Sequence, residues 1–383
     1  MIRFDSKTQI IINDELAKTI SSLITEEKAK NIGMIIDENI AAHAHIKELI
    51  ECIEKKAELF TQVIKSYEPT TDAVNKFSAW YRNKKIDIFI GIGGGSTLDL
   101  TKAVSAMVLH PGTVEEYHGT GKVLQGAVKK IMIPTTAGTG AEVTPGAVLV
   151  NEKTKFKRGL GGRCISSDYA VLDPALTISM PDHVTAATGM DALGHAIESY
   201  TARNANDITR MYSKEAFRLI FHNLQKVFDD KENLEIRKNI LLGSCLAGYA
   251  IYNSNTGACH SIAYPLGVYH KVPHGVAVAL ILPKVVRINV EKDYYQYSDL
   301  YDLINKSNAK NLQNTSAKAH KFCDLLEKYT PAKYLKTRLT DYGINESNYR
   351  FIAERGLDLT PALNNNPVDF TLEDSLRVIK SLI

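Results

Sequence analysis

The run Ile86-Asp87-Ile88-Phe89-Ile90-Gly91-Ile92-Gly93-Gly94-Gly95-Ser96-Thr97-Leu98-Asp99-Leu100-Thr101-Lys102 restricts the fold more than any other stretch. An apolar, β-branched strand enters three glycines and leaves as a helix, for which Ser96 or Thr97 is the expected cap. A strand this continuously apolar is covered on both faces, and helices must do the covering. Glycines also let backbone N–H groups approach a ligand, and the positive end of the helix dipole favours an anion there, so the turn suits a pyrophosphate. The spacing is neither Gly-x-Gly-x-x-Gly nor a Walker motif, and a purely structural glycine turn has the same composition.

The surrounding chain repeats the pattern. Ile32-Gly33-Met34-Ile35-Ile36-Asp37 reads as a buried parallel strand ending in an acid, after a helix over Glu15 to Lys28 and before one over Ala41 to Ala57. A carboxylate at such a strand end can accept hydrogen bonds from an adenosine ribose and repel a 2′-phosphate; Asp is also a common turn starter. A short strand is expected near Phe60 to Tyr67, then a helix capped by Thr70 or Thr71. Ile131-Met132-Ile133-Pro134 breaks into Thr135-Thr136-Ala137-Gly138-Thr139-Gly140-Ala141-Glu142-Val143-Thr144, rich in donors for a phosphate or carboxamide. Two such loops past strands of one layer point to a nucleotide crevice. Strand patterns at 147–150 and 170–172 flank a basic turn from Lys153 to Arg163.

Beyond Asp173-Pro174 and Met180-Pro181 strand patterns become rare. Helical periodicity covers Val184 to Thr201, Ser213 to Phe228, Leu234 to Tyr252, Ala317 to Tyr329 and Leu372 to Leu382, while 307–314 and 362–367 read as surface loops. At 383 residues two domains are expected. We place an α/β dinucleotide-binding domain at 1–180 and an all-helical domain at 181–383.

Composition narrows the partners. With 46 Lys+Arg against 43 Asp+Glu the formal charge is +3, and no basic block would track a phosphate backbone, so nucleic acid is not an expected partner. The N-terminus lacks a secretory pattern and no run of about 18 apolar residues occurs, so no membrane association and a cytoplasmic protein are expected. Five scattered cysteines, none in Cys-x-x-Cys spacing, argue against a disulfide framework and a thiolate zinc site.

The helical half carries Gly189-Met190-Asp191-Ala192-Leu193-Gly194-His195, where a carboxylate and an imidazole four residues apart share a helix face. His260, Tyr264, His270 and His274 then crowd into fifteen residues amid glycines and prolines. One Asp with three His and no thiolate fits Zn(II) or Fe(II) with an open position for substrate.

These motifs together, with Asp99 and Lys102 after the glycines, Asp173-Pro174, Ala196-Ile197-Glu198 after His195, and the tail Asn366-Pro367 to Ile379, resemble in order and spacing those of the iron-containing (group III) alcohol dehydrogenases. The match runs essentially end to end. It implies an N-terminal α/β domain binding NAD(P) and an all-α C-terminal metal domain, a fold shared with dehydroquinate synthase. By that resemblance Asp191, His195, His260 and His274 match the metal ligands, and Asp37 falls where NAD(H) is selected over NADP(H). Gly94, Gly95 and Ser96 match the pyrophosphate loop with Asp99 beside it, and Thr135, Thr136, Thr139, Thr144 and Lys157 match the rest of the cofactor site. Where many members carry a proton-relaying histidine four residues after the third ligand, this chain has Tyr264, and a phenol with pKa near about 10 is a poorer relay than imidazole. Tyr264 and His270 are then the candidate catalytic residues: either His270 takes the relay role, or Tyr264 donates directly, or the substrate oxygen exchanges protons with water. The usual Arg after the tail's Asn-Pro is Val368. The implied activity is hydride transfer between nicotinamide and a metal-bound small alcohol or aldehyde, an anionic one such as a phosphonate or sugar acid being suggested by Lys155, Lys157, Arg158 and Arg163. A homo-oligomer, a dimer, is expected; the alternative is a dehydroquinate synthase-like cyclase without net oxidation.

Overall fold

Alternation of apolar strands and amphipathic helices produces a doubly covered parallel sheet in the computed structural model, which describes residues 4–65, 69–124, 126–153, 156–305 and 314–382. The chain forms two compact units, Ser6–Met180 and Pro181–Ile383, with Phe4 and Asp5 belonging to the second.

The first unit contains β1 (Gln9–Ile12), α1 (Leu16–Glu26), β2 (Asn31–Asp37), α2 (Ala44–Glu54), β3 (Glu58–Ile64), α3 (Thr71–Tyr81), β4 (Ile88–Gly93) and α4 (Gly95–Met107). After these come β5 (Gly119–Thr120), β6 (Lys129–Pro134), β7 (Gly146–Asn151), β8 (Phe156–Gly161) and β9 (Tyr169–Leu172). Six strands form a parallel sheet in the order β1-β9-β6-β4-β2-β3, and β5-β8-β7 form a small second sheet. Side chains alternate across the main sheet as the pleat requires. Ile32, Met34 and Ile36 of β2 pack with Ile20, Ile46, Leu49 and Ile53 of α1 and α2, whereas Ile35 packs with Val74, Phe77 and Val104 of α3 and α4. Both faces are therefore buried, which explains the unbroken apolar runs.

The connection from β2 runs to β3 on its outer side, and that from β4 runs to β6 on the other. The carboxyl ends of the adjacent strands β2 and β4 are thus the switch point of this sheet, where α/β sheets bind ligands. Asp37 ends β2 and the glycine loop ends β4.

Of the local boundary signals, one holds and others are corrected. Thr70 caps α3 by accepting from the Ala73 N–H. Helix α4 begins at Gly95 with Gly94 as an N-cap that offers no side chain, so Ser96 and Thr97 lie inside the first turn instead of capping it. The basic turn is in fact a hairpin: Lys157 and Arg158 lie on β8, paired antiparallel with Val150 and Leu149. Lys155, like the end of the strand expected near Tyr67, lies outside the described residues.

The second unit is helical: α5 (Asp182–Thr201), α6 (Asp207–Asn223), α7 (Leu234–Ser254), α8 (Ala258–His270), α9 (His274–Glu291), α10 (Tyr297–Ile304), α11 (Thr315–Tyr329), α12 (Glu346–Arg355), α13 (Thr360–Leu363) and α14 (Leu372–Lys380). Helix α5 is buried without interruption from Gly189 to Thr201, the state of a helix surrounded by others. The expected surface loop at 362–367 is a correction. Asn365 and Asn366 are buried, because their amides satisfy backbone groups of the α7–α8 connection: Asn365 donates to the Ser254 and Thr256 carbonyls at 2.6 and 2.8 Å. Residues 307–313 lie outside the described residues. Among the described residues no helix is long and apolar enough to cross a membrane.

Candidate functional site

Helix periodicity assembles the first half of the metal candidate. Asp191 and His195, one turn apart on α5, are both buried, and the His195 Nε2 stands 3.8 Å from Asp191 Oδ1. His260, from the first turn of α8, brings its Nε2 to 3.4 Å from the same oxygen, and His274, opening α9, brings its own to 3.5 Å. Three imidazole nitrogens from three helices thus converge on one carboxylate oxygen. Ligand atoms about 2.1 Å from a common ion in tetrahedral array stand about 3.4 Å apart, the spacing seen here. Asp191, His195 and His260 form a tight set whose ligand atoms lie within 4.8 Å of one another; His274, with 48% of its side chain exposed, closes the group from the solvent side.

The polar atoms at the centre fit a cation. Asp191 Oδ1 and His260 Nε2 are buried and lack a hydrogen-bond partner. A buried group left in that state costs about 1–3 kcal/mol, which an ion between them would offset. Electrostatics agree: burial works to raise the Asp191 pKa, but His195, His274 and His260 outweigh it and hold the carboxyl well below its usual range. Burial would lower the His260 pKa, yet Glu198 and Asp191 raise it to about 10. A negative pocket this strong attracts a proton or a metal ion to the same nitrogen.

Sequence reasoning quoted Glu198 without giving it a role. It accepts from His260 Nδ1 through one oxygen and from the Cys259 N–H, at 2.7 Å, through the other. The signal was available: Glu198 follows Asp191 by seven residues and His195 by three, on the same face of α5.

In the first unit the two donor-rich loops interlock. A Cβ on Gly95 would stand 2.6 Å from Thr139 Oγ1, so only glycine admits the second loop there, whereas one on Gly94 would meet Thr136 at an ordinary 3.4 Å. The Thr135 N–H donates to the Gly93 carbonyl at 3.0 Å. Lys102, fully buried on α4, fastens the pair: its ammonium donates to the Ala141 carbonyl at 2.9 Å, to that of Gly146, and to Thr144 at 3.4 Å, and pairs with Asp99 at 2.8 Å. Asp99 also accepts from the Val148 N–H at 2.9 Å, so its carboxylate faces protein groups in this fold. With no side-chain cap on α4, the first-turn amides at Gly95 and Ser96 are the donors offered to an anion. Asp37, 7% exposed, accepts from the Asn39 backbone and side-chain N–H groups at 2.9 Å, which combines the turn-starting role with a carboxylate at the switch point.

Comparison with known proteins gives the family. The family described as "Iron-containing alcohol dehydrogenase" matches residues 7–174, and "Fe-containing alcohol dehydrogenase family, C-terminal" matches residues 185–383. The chain belongs to the iron-containing alcohol dehydrogenase family. Long-chain-alcohol dehydrogenase 1 of Geobacillus thermodenitrificans (strain NG80-2) is 31% identical over 369 residues, covering 94% of this chain and 92% of its own. A crystal structure of 1,3-propanediol oxidoreductase superposes with a TM-score of 0.92 at 27% identity over 100% of both chains. Sulfoacetaldehyde reductase from Bifidobacterium kashiwanohense, crystallised in complex with NAD+, gives 0.88 at 26% identity over 100% of this chain and 98% of that one. As a family member the chain is an oxidoreductase of the alcohol dehydrogenase type, which decides against the cyclase.

The departures from the family pattern acquire a setting. Tyr264 follows His260 by one turn of α8, so it stands beside the candidate ligand on the same face. His270 lies ten residues along that helix, about 15 Å of rise beyond His260, and its buried Nε2 lacks a hydrogen-bond partner; burial lowers its pKa. Beside Val368 a guanidinium still meets the tail, supplied by Arg203, which pairs with Asp369 at 2.6 Å.

Proposed function

We propose that Asp191, His195, His260 and His274 hold one divalent cation, Fe(II) or Zn(II), and that the chain uses it with NAD(H) to interconvert a small alcohol and its aldehyde. The observation that carries this reading is the convergence of three Nε2 atoms, at 3.4 to 3.8 Å, on one buried Asp191 oxygen. A cation bound there supplies a Lewis acid that polarises a substrate oxygen. The remaining work falls to the chain. Backbone amides at the N-cap Gly94 and the first-turn Gly95 and Ser96 receive the pyrophosphate, Thr135, Thr136, Thr139, Thr144 and Lys157 line the rest of the cofactor site, and Asp37 holds the ribose diol and repels a 2′-phosphate. Asp99 acts indirectly, by fixing Lys102 and β7. Tyr264, one turn from His260, takes the proton-exchanging position in preference to the distant His270. Lys157, Arg158 and Arg163 around β8, together with likeness to a sulfoacetaldehyde reductase, support an anionic aldehyde as substrate.

The test is reconstitution of metal-free protein with Fe(II) and Zn(II) separately, followed by nicotinamide absorbance with neutral and anionic alcohols and aldehydes. Metal-dependent NADH turnover on some member of the panel is expected. Equal turnover by the metal-free protein, or none with any metal and substrate, would overturn the proposal.

A further inference from the structure

We infer that Glu198 is a positioning residue for the metal centre, fixing the His260 ring so that Nε2 is turned toward the Asp191 oxygen and is the nitrogen available to an ion between them. The inference rests on the metal reading above.

The first turn of α8 has no side-chain cap of its own, and its orphan donors are satisfied from elsewhere in the unit. Asn366 Oδ1 accepts from the Ala258 N–H at 3.4 Å and Glu198 Oε1 from the Cys259 N–H at 2.7 Å. Glu198 Oε2 meets the next residue's ring at Nδ1. One carboxylate thus fixes both the backbone turn that carries His260 and the ring itself. Because Nδ1 donates to Glu198, Nε2 is the nitrogen left for an ion, and it points at Asp191. Gly257 makes room for this seat. A Cβ there would stand 2.8 Å from Glu198 Oε1 and 3.2 Å from Asn366 Oδ1, although its backbone, φ −132° and ψ −153°, is open to any residue. Glycine at 257 therefore serves the approach of the carboxylate.

A glutamine cannot replace Glu198. Both of its contacts are N–H donors, and an amide has one oxygen, so its NH2 would face one of them.

The experiment measures Co(II) affinity by chelator competition, with the visible d–d spectrum, on the full-length wild-type protein and on Glu198→Gln, Gly257→Ala and His195→Ala. Expected are one tight Co(II) in the wild type, its loss in His195→Ala, a roughly 10- to 100-fold weakening with altered d–d bands in Glu198→Gln, and a change in the same direction in Gly257→Ala, whose methyl displaces the carboxylate. Metal-free circular dichroism and thermal unfolding establish that the variants fold; should Glu198→Gln not fold, Gly257→Ala decides. Folded variants that bind Co(II) within twofold of the wild type, with unchanged bands, would overturn the inference while leaving the metal site intact. Loss of specific Co(II) binding by the wild type, or full binding by His195→Ala, would instead remove the metal reading and this inference with it.

Discussion

At the scale of single residues the chemistry depends on one carboxylate oxygen. Asp191 Oδ1 collects three imidazoles, so removing one of them withdraws a ligand without unfolding α5, whose burial is mostly apolar. His195→Ala is expected to lose both bound metal and turnover, measured by metal analysis and NADH absorbance; a variant that keeps either in full would contradict the assignment. The same scale governs cofactor choice. Asp37→Ala should raise kcat/KM for NADPH relative to NADH by removing charge next to the 2′ position, and an unchanged ratio would show that another group selects the cofactor. Tyr264→His should restore an imidazole one turn from His260 and raise kcat near neutral pH, where imidazole exchanges protons more readily than a phenol.

At the scale of elements the two donor loops stay in place because α4 is fastened to them. Lys102 has no exposed side-chain surface and its partners come from the 141–146 segment and Asp99. Lys102→Met would leave Asp99 Oδ1 and several carbonyls without the ammonium, a loss of about 3–5 kcal/mol for breaking a buried pair, read from chemical denaturation. A variant as stable as the wild type would show that the loops hold without the ammonium. A second fastening is pH-dependent. Burial works to raise the Glu115 pKa, but hydrogen bonds from Thr71 and Asn75 outweigh it and bring it down to about 2. Since the folded pKa lies below the unfolded value, the stabilisation is present above about 4.5 and disappears as pH falls through about 2. The gap in urea midpoint between wild type and Glu115→Gln should therefore be open at pH 7 and shrink across that window.

At the scale of the whole molecule, a cation that binds only the folded protein adds stability by mass action. Adding Zn(II) to metal-free protein should raise its melting temperature in a concentration-dependent way, and His195→Ala should abolish the shift; an equal shift in the variant would place the ion elsewhere. How much of this was legible in the sequence follows from the range of the interactions. Periodicity, β-branched runs and glycine turns act within about a turn or a strand, so the parallel layer, the helical half and the pairing of Asp191 with His195 were readable from the residues alone. Helix α8 was harder to read, since Pro265 and its glycines interrupt the local pattern and its first turn is held by Glu198 and Asn366 from distant segments. The strand under the basic residues at 157 and 158 and the burial of Asn365 and Asn366 escaped for the same reason: each depends on a partner that only folding brings near. What the sequence determined by itself was the residue chemistry and its periodic placement. The tertiary structure alone decided which of these groups share one oxygen, because convergence of α5, α8 and α9 on Asp191 is a matter of helix packing and leaves no mark in local spacing.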